Sequence, residues 1–230
     1  MKHAEVPTPP QAAEAVFGNA VDTAYDYARI LAGAGVERGL LGPREVERVW
    51  DRHVLNSAVV SELLDTDERI VDIGSGAGLP GIPLALARRD ISVTLIEPLL
   101  RRSDFLREVI DELGIDCRVV RGRAEDRAVR DAVGEADAVV SRAVASLDKL
   151  TKWSVPLLRP KGRMLAIKGE RAEEEVREHR HALTEMGLTG VKVIKCGACF
   201  VDPPVRVVVG FQGVRGLKSK AARPAGRKPR

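Results

Sequence analysis

Apolar residues recur at helical spacing through the first sixty positions of the chain. Between residues 11 and 34 they stand three or four apart, and closely spaced glycines end the pattern, which predicts one long helix. A second helix is predicted to begin at Pro43, a residue suited to the first helical turn, and to continue to residue 60. Residues 1–68 are therefore expected to form a helical appendage.

From residue 69 the pattern changes to short β-branched runs that alternate with helical stretches. This alternation predicts an α/β unit with a mainly parallel sheet. The predicted strands cover residues 69–73, 91–96, 117–121, 136–140 and 162–168. The predicted helices cover residues 80–89, 100–114, 146–158 and 170–187.

Two further extended runs, 188–196 and 205–211, end the patterned part of the chain. The connection between them is too short for a crossover helix, so they are expected to form an antiparallel pair at the sheet edge. Seven strands in one domain over residues 69–212 are thus predicted. A chain of 230 residues suits one such domain with a modest appendage.

Charge is unevenly distributed along the chain. The net charge is +4, yet residues 213–230 carry seven basic side chains and no acid, so the preceding part is net negative. This basic tail is expected to be disordered and suited to phosphate backbones. A solubilising terminus without a partner fits its composition equally well.

Composition also bears on compartment and metal binding. No apolar run approaches the roughly 20 residues of a membrane span, and the N-terminus has no secretory pattern, so the protein is expected in the cytoplasm. The three cysteines do not suggest a disulfide framework there. Cys196 and Cys199 have zinc-knuckle spacing but lack a second pair of ligands, so no metal site is expected.

The most specific local pattern is a strand that runs into alternating glycines and then into a helix. Gly74, Gly76 and Gly78 directly follow the predicted strand 69–73. Glycine is needed where the backbone turns sharply and approaches a ligand closely, and helix N-terminal amides then face a polar or anionic group. The position after the first parallel strand predicts a nucleotide-like ligand.

Glu97 ends the second strand, about twenty residues after the glycines. Ligands of open α/β sheets bind beyond the carboxyl ends of the strands, and an acid there can accept both hydrogen bonds of a ribose diol. Glu97 is therefore predicted to bind a ribose. The alternative is a solvated acid at a strand end.

Two cofactors fit this arrangement. A nicotinamide dinucleotide fits because Gly76, Gly78 and Gly81 satisfy the dinucleotide fingerprint. S-adenosylmethionine is favoured by Asp72, which can hold a cation or an ammonium group but would repel a pyrophosphate. The terminal antiparallel pair is also typical of methyltransferase sheets, and the chain leaves no room for a separate dehydrogenase substrate domain.

Two further strand ends complete the predicted site. The loop at residues 121–126 follows the third strand and is expected to lie over an adenine, although by itself it is an ordinary charged turn. Ser141 and Arg142 end the fourth strand. Because that strand lies beside the first, both residues are expected to face the reacting centre.

Four motifs resemble the ribosomal RNA small subunit methyltransferase G family, also called glucose-inhibited division protein B. They are Arg52 to Ser57, Asp72 to Pro83, Ser141 to Ala143, and Ile167 to Gly169. The resemblance spans roughly residues 44 to 210, and the double-proline segment within the second motif is more specific than the glycines. Departures are small: Asn56 and Glu97 stand where many members have Asp.

The resemblance implies a class I, Rossmann-like methyltransferase that transfers the methyl group of S-adenosylmethionine to N7 of guanine 527 in 16S ribosomal RNA. The implied partner is that RNA or the 30S subunit. Cofactor contacts carried over by motif are Gly74, Leu79, Ala124, Glu125 and Arg142. Asp72, Gly76, Gly78 and Glu97 are added from the loop and strand pattern above.

Guanine N7 has an in-plane lone pair and no proton to lose, so its methylation needs no general base, and rate is expected from positioning and electrostatics. Arg142 and Lys168 are the candidates that donate to guanine O6 or to a phosphate, with Ser141 beside them. The alternatives are a methyltransferase for a small molecule or protein, a nicotinamide-dependent oxidoreductase, and an inactive RNA-binding factor.

Several further side chains have two possible roles. The helical spacing of His53 favours a core position, whereas the resemblance favours a role at the site. Arg52 and Asn56 lie four apart on another face and are candidates to cover the cofactor or contact RNA. Trp50 and Trp153 are expected in the core, because no basic residues interleave with aromatic ones around them.

Overall fold

The computed structural model describes residues 2–142 and 145–213, and its centre is one seven-stranded sheet. The strands are β1 (Arg69–Ile73), β2 (Ser92–Glu97), β3 (Cys117–Arg121), β4 (Ala136–Arg142), β5 (Leu158–Lys168), β6 (Leu188–Cys196) and β7 (Val205–Gln212). All seven predicted strands are present, with ends that shift by four residues at most. The predicted basic tail lies outside the described residues except for Gly213.

The helices of the described part are mostly short. They are α1 (Gln11–Phe17), α2 (Val21–Ile30), α3 (Leu55–Ala58), α4 (Gly81–Ala87), α5 (Leu100–Leu113), α6 (Arg127–Val133), α7 (Leu147–Ser154) and α8 (Ala172–Glu185). Helix α6 was not predicted. Its seven residues bury only Val129 and Val133, too few apolar positions to form a pattern in the sequence.

The strand order is β3-β2-β1-β4-β5-β7-β6. Strands β1 to β5 are parallel, whereas β7 runs antiparallel to both β5 and β6. The predicted mainly parallel sheet with an antiparallel edge hairpin is confirmed. Because the order reverses between β1 and β4, their carboxyl ends open a crevice where ligands of such sheets bind.

Two apolar cores cover the two faces of the sheet. One core contains buried residues of the first five helices, and the other contains those of the last three. Strand β1 serves both, since Ile70 joins the first core while Val71 and Ile73 join the second. Asp72 therefore shares the face of Ile70 and lies under the helices of the first core.

The appendage is less regular than predicted. In place of one helix over 11–34, Gly18 interrupts the helix with a φ of 51°, and a 3₁₀ turn leads into α2. The second predicted helix retains only the four α-helical residues of α3, between segments of 3₁₀ and π geometry. These segments are Pro43–Arg48, Val49–Val54 and Val59–Leu63. The predicted end at Gly33 to Gly35 is wrong, because π geometry continues through Leu31–Gly35. Gly33 instead allows a close approach of the N-terminal segment, since a Cβ there would lie 2.2 Å from the carbonyl oxygen of Lys2.

An ion pair joins the end of the appendage to the sheet. The Arg163 guanidinium on β5 donates to both carboxylate oxygens of Glu68, at 2.8 and 2.7 Å, and to the carbonyl oxygen of Leu63. Both charged side chains are nearly buried. Within the described residues, no helix is long and apolar enough to cross a membrane.

Candidate functional site

Three neighbouring cavities open at the carboxyl ends of the parallel strands. Two have volumes of about 540 Å³ each, and Arg142 at the end of β4 borders both. The first, the glycine-loop cavity, is lined by Leu40, Leu41, His53, Gly74 to Ala77, Leu79, Glu97 to Leu99, Arg102, Arg123 and Arg142. The second, the β5 cavity, is described below. The third, the apolar slot of about 100 Å³, adjoins the first at Gly74.

The glycine loop is fixed by bonds to the end of β2. The backbone N–H groups of Gly74 and Ser75 donate to the carbonyl oxygen of Ile96, at 2.9 and 3.1 Å. The N–H of Gly76 donates to Glu97 Oε2 at 3.0 Å. Gly76 has a φ of 57°, a conformation that side chains rarely adopt, so glycine is required there by the backbone. The predicted loop and the predicted acid thus meet.

Glu97 is buried at the wall of the glycine-loop cavity. Its second oxygen, Oε1, accepts from the N–H of Leu99 at 3.0 Å. A carboxylate offers about four lone-pair positions, so these two bonds leave acceptor capacity for two further donors. A diol has two such donors.

Asp72 lies beneath the loop and borders none of the three cavities. Its Oδ2 accepts from the N–H of Gly81, the first residue of α4, at 3.1 Å, and Oδ1 has no partner among the described residues. Burial raises the pKa of this carboxyl to about 7, against the lowering effects of the Ser75 side chain and of the Gly81 bond. The predicted direct contact with a ligand cation has no support in this position.

Gly78 also faces inward. A Cβ at this position would lie 2.4 Å from Cδ1 of Ile82 and 3.1 Å from the hydroxyl of Tyr27. The glycine therefore permits close packing of the loop on the helix layer, and Gly78 borders none of the three cavities. The Tyr27 hydroxyl supports the same loop from below, donating to the carbonyl oxygen of Ala77 at 2.9 Å. From the sequence, Tyr27 was predicted only as an apolar helix position.

The apolar slot contains the predicted adenine loop. Ala124 and Glu125 line it together with Gly74 and Trp153. Both tryptophans pack against the apolar cores, as predicted, and Trp153 also borders the slot. Trp50 is a core residue, buried and bonded through its indole N–H to the carbonyl oxygen of Pro7 at 2.8 Å, whereas Trp153 is half-buried and presents part of its surface to the slot.

Arg142 is bound entirely to the appendage. Nη1 donates to the His53 carbonyl oxygen at 3.4 Å and to Ser57 Oγ at 3.2 Å. Nη2 donates to the Arg52 carbonyl oxygen at 2.6 Å and to His53 Nδ1 at 3.1 Å. Burial lowers the pKa of Arg142 from its ordinary value. Ser141, the preceding residue, is buried and borders none of the three cavities, and Ala143 lies outside the described residues.

His53 links Arg142 to Glu45. Its Nε2 lies 3.0 Å from Glu45 Oε2, while its Nδ1 faces Arg142. The ring lines the glycine-loop cavity and has partners for both nitrogens, so of the two interpretations of His53 its position favours a role at the site. Burial and then the Arg142 charge lower its pKa, and Glu45 acts in the opposite direction. Nothing in the spacing of Glu45 indicated this link.

The β5 cavity is lined mainly by charged side chains. It is bordered by Arg48, Asp51, Arg52, Asn56, Arg142, Ile167 to Glu170, and Asp202 to Arg206. Five of these side chains are cationic and three are acidic, so the cavity favours an anionic ligand. Arg52 and Asn56, the candidates to cover the cofactor or contact RNA, both border this cavity.

Two cations of the β5 cavity differ in their pairing. Lys168 Nζ donates to the carbonyl oxygen of Ala145 at 2.7 Å and to Glu175 at 2.8 Å, which leaves one of its three N–H donors for a ligand. Arg206 Nε is buried and has no hydrogen-bond partner in the described part of the chain; the nearest acid, Glu173, is 3.7 Å away. No group of three potential metal ligands occurs among the described residues.

Comparison with known proteins points to one family. A family model described as rRNA small subunit methyltransferase G matches residues 21–200. The ribosomal RNA small subunit methyltransferase G of Mycolicibacterium vanbaalenii is 74% identical over 214 residues, which cover 93% of this chain and 94% of that relative.

Solved structures show the fold. The S-adenosylmethionine-dependent methyltransferase SibL, in its apo form, matches with a TM-score of 0.57 at 17% identity and covers 88% of this chain and 70% of its own. TYW2 of M. jannaschii, solved in complex with AdoMet, matches with a TM-score of 0.54 at 20% identity, covering 70% of this chain and 76% of its own. The sheet order and these neighbours confirm the predicted class I, Rossmann-like methyltransferase fold.

Proposed function

The chain belongs to the ribosomal RNA small subunit methyltransferase G family, and on that basis we propose that it methylates N7 of guanine 527 in 16S ribosomal RNA. Membership makes it an S-adenosylmethionine-dependent methyltransferase of ribosomal RNA. A nicotinamide-dependent oxidoreductase is thereby excluded. The observation that supports an RNA substrate is the pair of large cavities on either side of Arg142, one beside the glycine loop and one net positive.

The glycine-loop cavity and the apolar slot fit S-adenosylmethionine. Glu97 retains acceptor capacity for the ribose hydroxyls, and the slot between Ala124 and Trp153 suits the adenine. Arg102 lines the cavity with a buried Nε that has no partner among the described residues, a donor suited to the cofactor carboxylate. When bound, S-adenosylmethionine supplies an electrophilic methyl group.

The β5 cavity would receive the target nucleotide. Arg and Lys commonly donate to the O6 and N7 edge of guanine or to phosphate. Lys168 has one unused donor for this purpose, and Arg206 Nε has no hydrogen-bond partner in the described part of the chain, with Glu173 at 3.7 Å. Because methylated N7 gains a positive charge, these cations should act on O6 or on a phosphate and leave N7 uncrowded.

Methylation of guanine N7 requires no acid–base catalysis by the protein. N7 attacks through its own lone pair and loses no proton, so no side chain has to act as a base. Glu97 and Lys168 are fixed by hydrogen bonds on opposite sides of Arg142, and such fixed groups supply orientation. Catalysis would then depend on holding the base and the methyl donor in line.

The test is mass spectrometry of 16S ribosomal RNA from a strain that lacks this gene. Loss of 7-methylguanosine at position 527 is expected, with recovery on complementation. Lys168→Ala should reduce the methylation rate of the purified enzyme at least tenfold, since it removes a positioned donor. Lys161→Ala is the matched control, because Lys161 is exposed at the opposite end of the same strand, roughly 20 Å away.

The two parts of this proposal can fail separately. Persistence of the modified base in the deletion strain would remove the proposed target while leaving the family assignment intact. Equal rates for the Lys168 and Lys161 variants would remove Lys168 from the site.

A further inference from the structure

The position of the Arg142 guanidinium depends on an unprotonated imidazole nitrogen. A guanidinium has N–H donors and no acceptor, so its short contact with His53 Nδ1, at 3.1 Å, requires a lone pair on that nitrogen. Of the four acceptors that Arg142 contacts, two are backbone carbonyls and one is a hydroxyl. Only His53 Nδ1 can lose its acceptor character by taking up a proton near neutral pH.

Glu45 sets the ring in the required tautomer. With Nδ1 unprotonated, the proton of the neutral ring is on Nε2, and it donates to Glu45 Oε2 at 3.0 Å. The other oxygen of Glu45 accepts from Arg52 at 3.1 Å. The carboxylate is thus fixed on one side by Arg52 and on the other by the ring.

The charged groups around His53 come from two elements. Glu45 and Arg52 lie on the appendage with it, and Arg142 reaches it from β4. The His53 side chain is only 13% exposed. A protonated ring would place two cations in direct contact in this partly buried position, and of these three neighbours only Glu45 carries a compensating charge.

We propose that His53 is a positioning residue for methyl transfer: its unprotonated Nδ1, oriented by Glu45, holds the Arg142 guanidinium in the wall between the glycine-loop cavity and the β5 cavity. Protonation of the ring releases this contact. The inference rests on the proposed function to the extent that Arg142 serves methyl transfer. It predicts that the rate falls on the acid side with a midpoint below 6.5, because burial and Arg142 lower the pKa of His53.

Two amide variants separate the two nitrogens of the ring. In His53→Asn the amide oxygen can occupy the place of Nδ1 and accept from Arg142, but the side chain is too short to reach Glu45. In His53→Gln the amide nitrogen can reach Glu45, but no acceptor remains where Nδ1 was. His53→Ala removes both contacts.

The expected order of kcat distinguishes positioning from packing. His53→Ala and His53→Gln should each lose about tenfold or more at pH 7.5, since Arg142 is no longer fixed. His53→Asn should regain most of that loss and should lack the acid decline, because an amide does not titrate. Glu45→Gln should lower the acid midpoint of the wild-type profile, since the charge that favours a protonated ring is gone.

Rates are measured on 30S subunits and on extracted 16S ribosomal RNA between pH 5 and pH 8.5, with cofactor affinity followed in parallel by calorimetry. Nitrogen-15 NMR of the His53 ring reports the tautomer and its titration without any RNA. A ring with its proton on Nδ1, or a His53→Asn enzyme no faster than His53→Ala, overturns the proposal. So does an acid decline that is the same in His53→Asn as in the wild type.

Failure of the proposed function has a different signature. If the wild-type enzyme transfers no methyl group to 16S ribosomal RNA at any pH, the target is wrong. The NMR titration then still decides whether His53 is neutral against Arg142, and an ordinary pKa near 6.5 with no response to Glu45→Gln would remove the link itself.

Discussion

At the scale of single residues, a buried carboxyl beneath the ligand loop makes stability depend on pH. Burial raises the pKa of Asp72 from 3.8 to about 7. A folded-state pKa above the unfolded value means that the folded chain holds its proton more tightly. The stabilisation is therefore complete below pH 3.8 and is lost as the pH rises through 7.

The Asp72→Asn variant should lack this pH dependence. Between pH 5 and pH 8 the free energy of unfolding of the wild type should fall by about 2 to 3 kcal/mol relative to the variant. Urea unfolding of both proteins at pH 5 and pH 8 gives the free energies of unfolding. Because all other titrating groups are shared, their contributions cancel when the two proteins are compared. An equal gap between the two proteins at pH 5 and pH 8 would contradict the raised pKa.

Single residues were also where sequence reasoning was least able to assign roles. The three glycines of the loop look alike in the sequence, and Gly76 and Gly78 both have a positive φ, of 57° and 101°. At Gly78 a Cβ would in addition lie 2.4 Å from Cδ1 of Ile82, and only the three-dimensional packing of α4 against the loop shows this second requirement.

At the scale of elements, helix α7 carries Trp153 to the apolar slot. If the adenine of S-adenosylmethionine lies there, binding should change the Trp153 fluorescence. Trp153→Ala should weaken cofactor binding about tenfold, because stacking of aromatic rings contributes about 0.5–1.5 kcal/mol beyond the buried area. Calorimetry gives the affinity and a fluorescence titration gives the signal.

Trp50 provides the control, since the chain has two tryptophans and Trp50 lies in the appendage core. Trp50→Phe should keep the ligand-dependent signal, and Trp153→Phe should abolish it. A signal that follows Trp50 would place the adenine elsewhere.

Helices and strands can be predicted from the sequence where the local hydrophobic pattern and the burial imposed by the fold favour the same secondary structure. Strands β1 and β4 are buried on both faces along most of their length, so their apolar β-branched residues are visible in the sequence, as in Ile70 to Ile73. The sequence overestimates the α-helical content of the appendage. Its apolar spacing persists through segments of 3₁₀ and π geometry, and no residue pattern marks these segments.

At the scale of the whole molecule, the site depends on a contact between distant parts of the chain. Arg142 and His53 are 89 positions apart, and the motifs that contain them gave no indication that they touch. Sequence reasoning identified both residues, and the sheet order placed Arg142 at the crevice. Their pairing follows only from the way the appendage packs against the end of β4.

The basic tail yields a prediction for the complete chain, although residues 214–230 lie outside the described part. If its seven cations bind phosphates, truncation after Gly213 should weaken RNA binding and flatten its salt dependence, by up to about 0.7–0.9 in log–log slope for each phosphate that the tail neutralises. Binding assays over a range of salt concentrations measure the slope, and the cofactor affinity should not change. An unchanged slope would indicate that the tail binds no phosphates and serves only to keep the protein soluble.

The shared wall at Arg142 has a thermodynamic consequence. A ligand in the glycine-loop cavity and a ligand in the β5 cavity both border the same guanidinium. If a ligand in one cavity changes the affinity of the other cavity for its ligand by some factor, the second ligand must change the affinity for the first by the same factor. Cofactor and RNA would therefore report on each other, and a measurement of either affinity with and without the other ligand yields their coupling free energy.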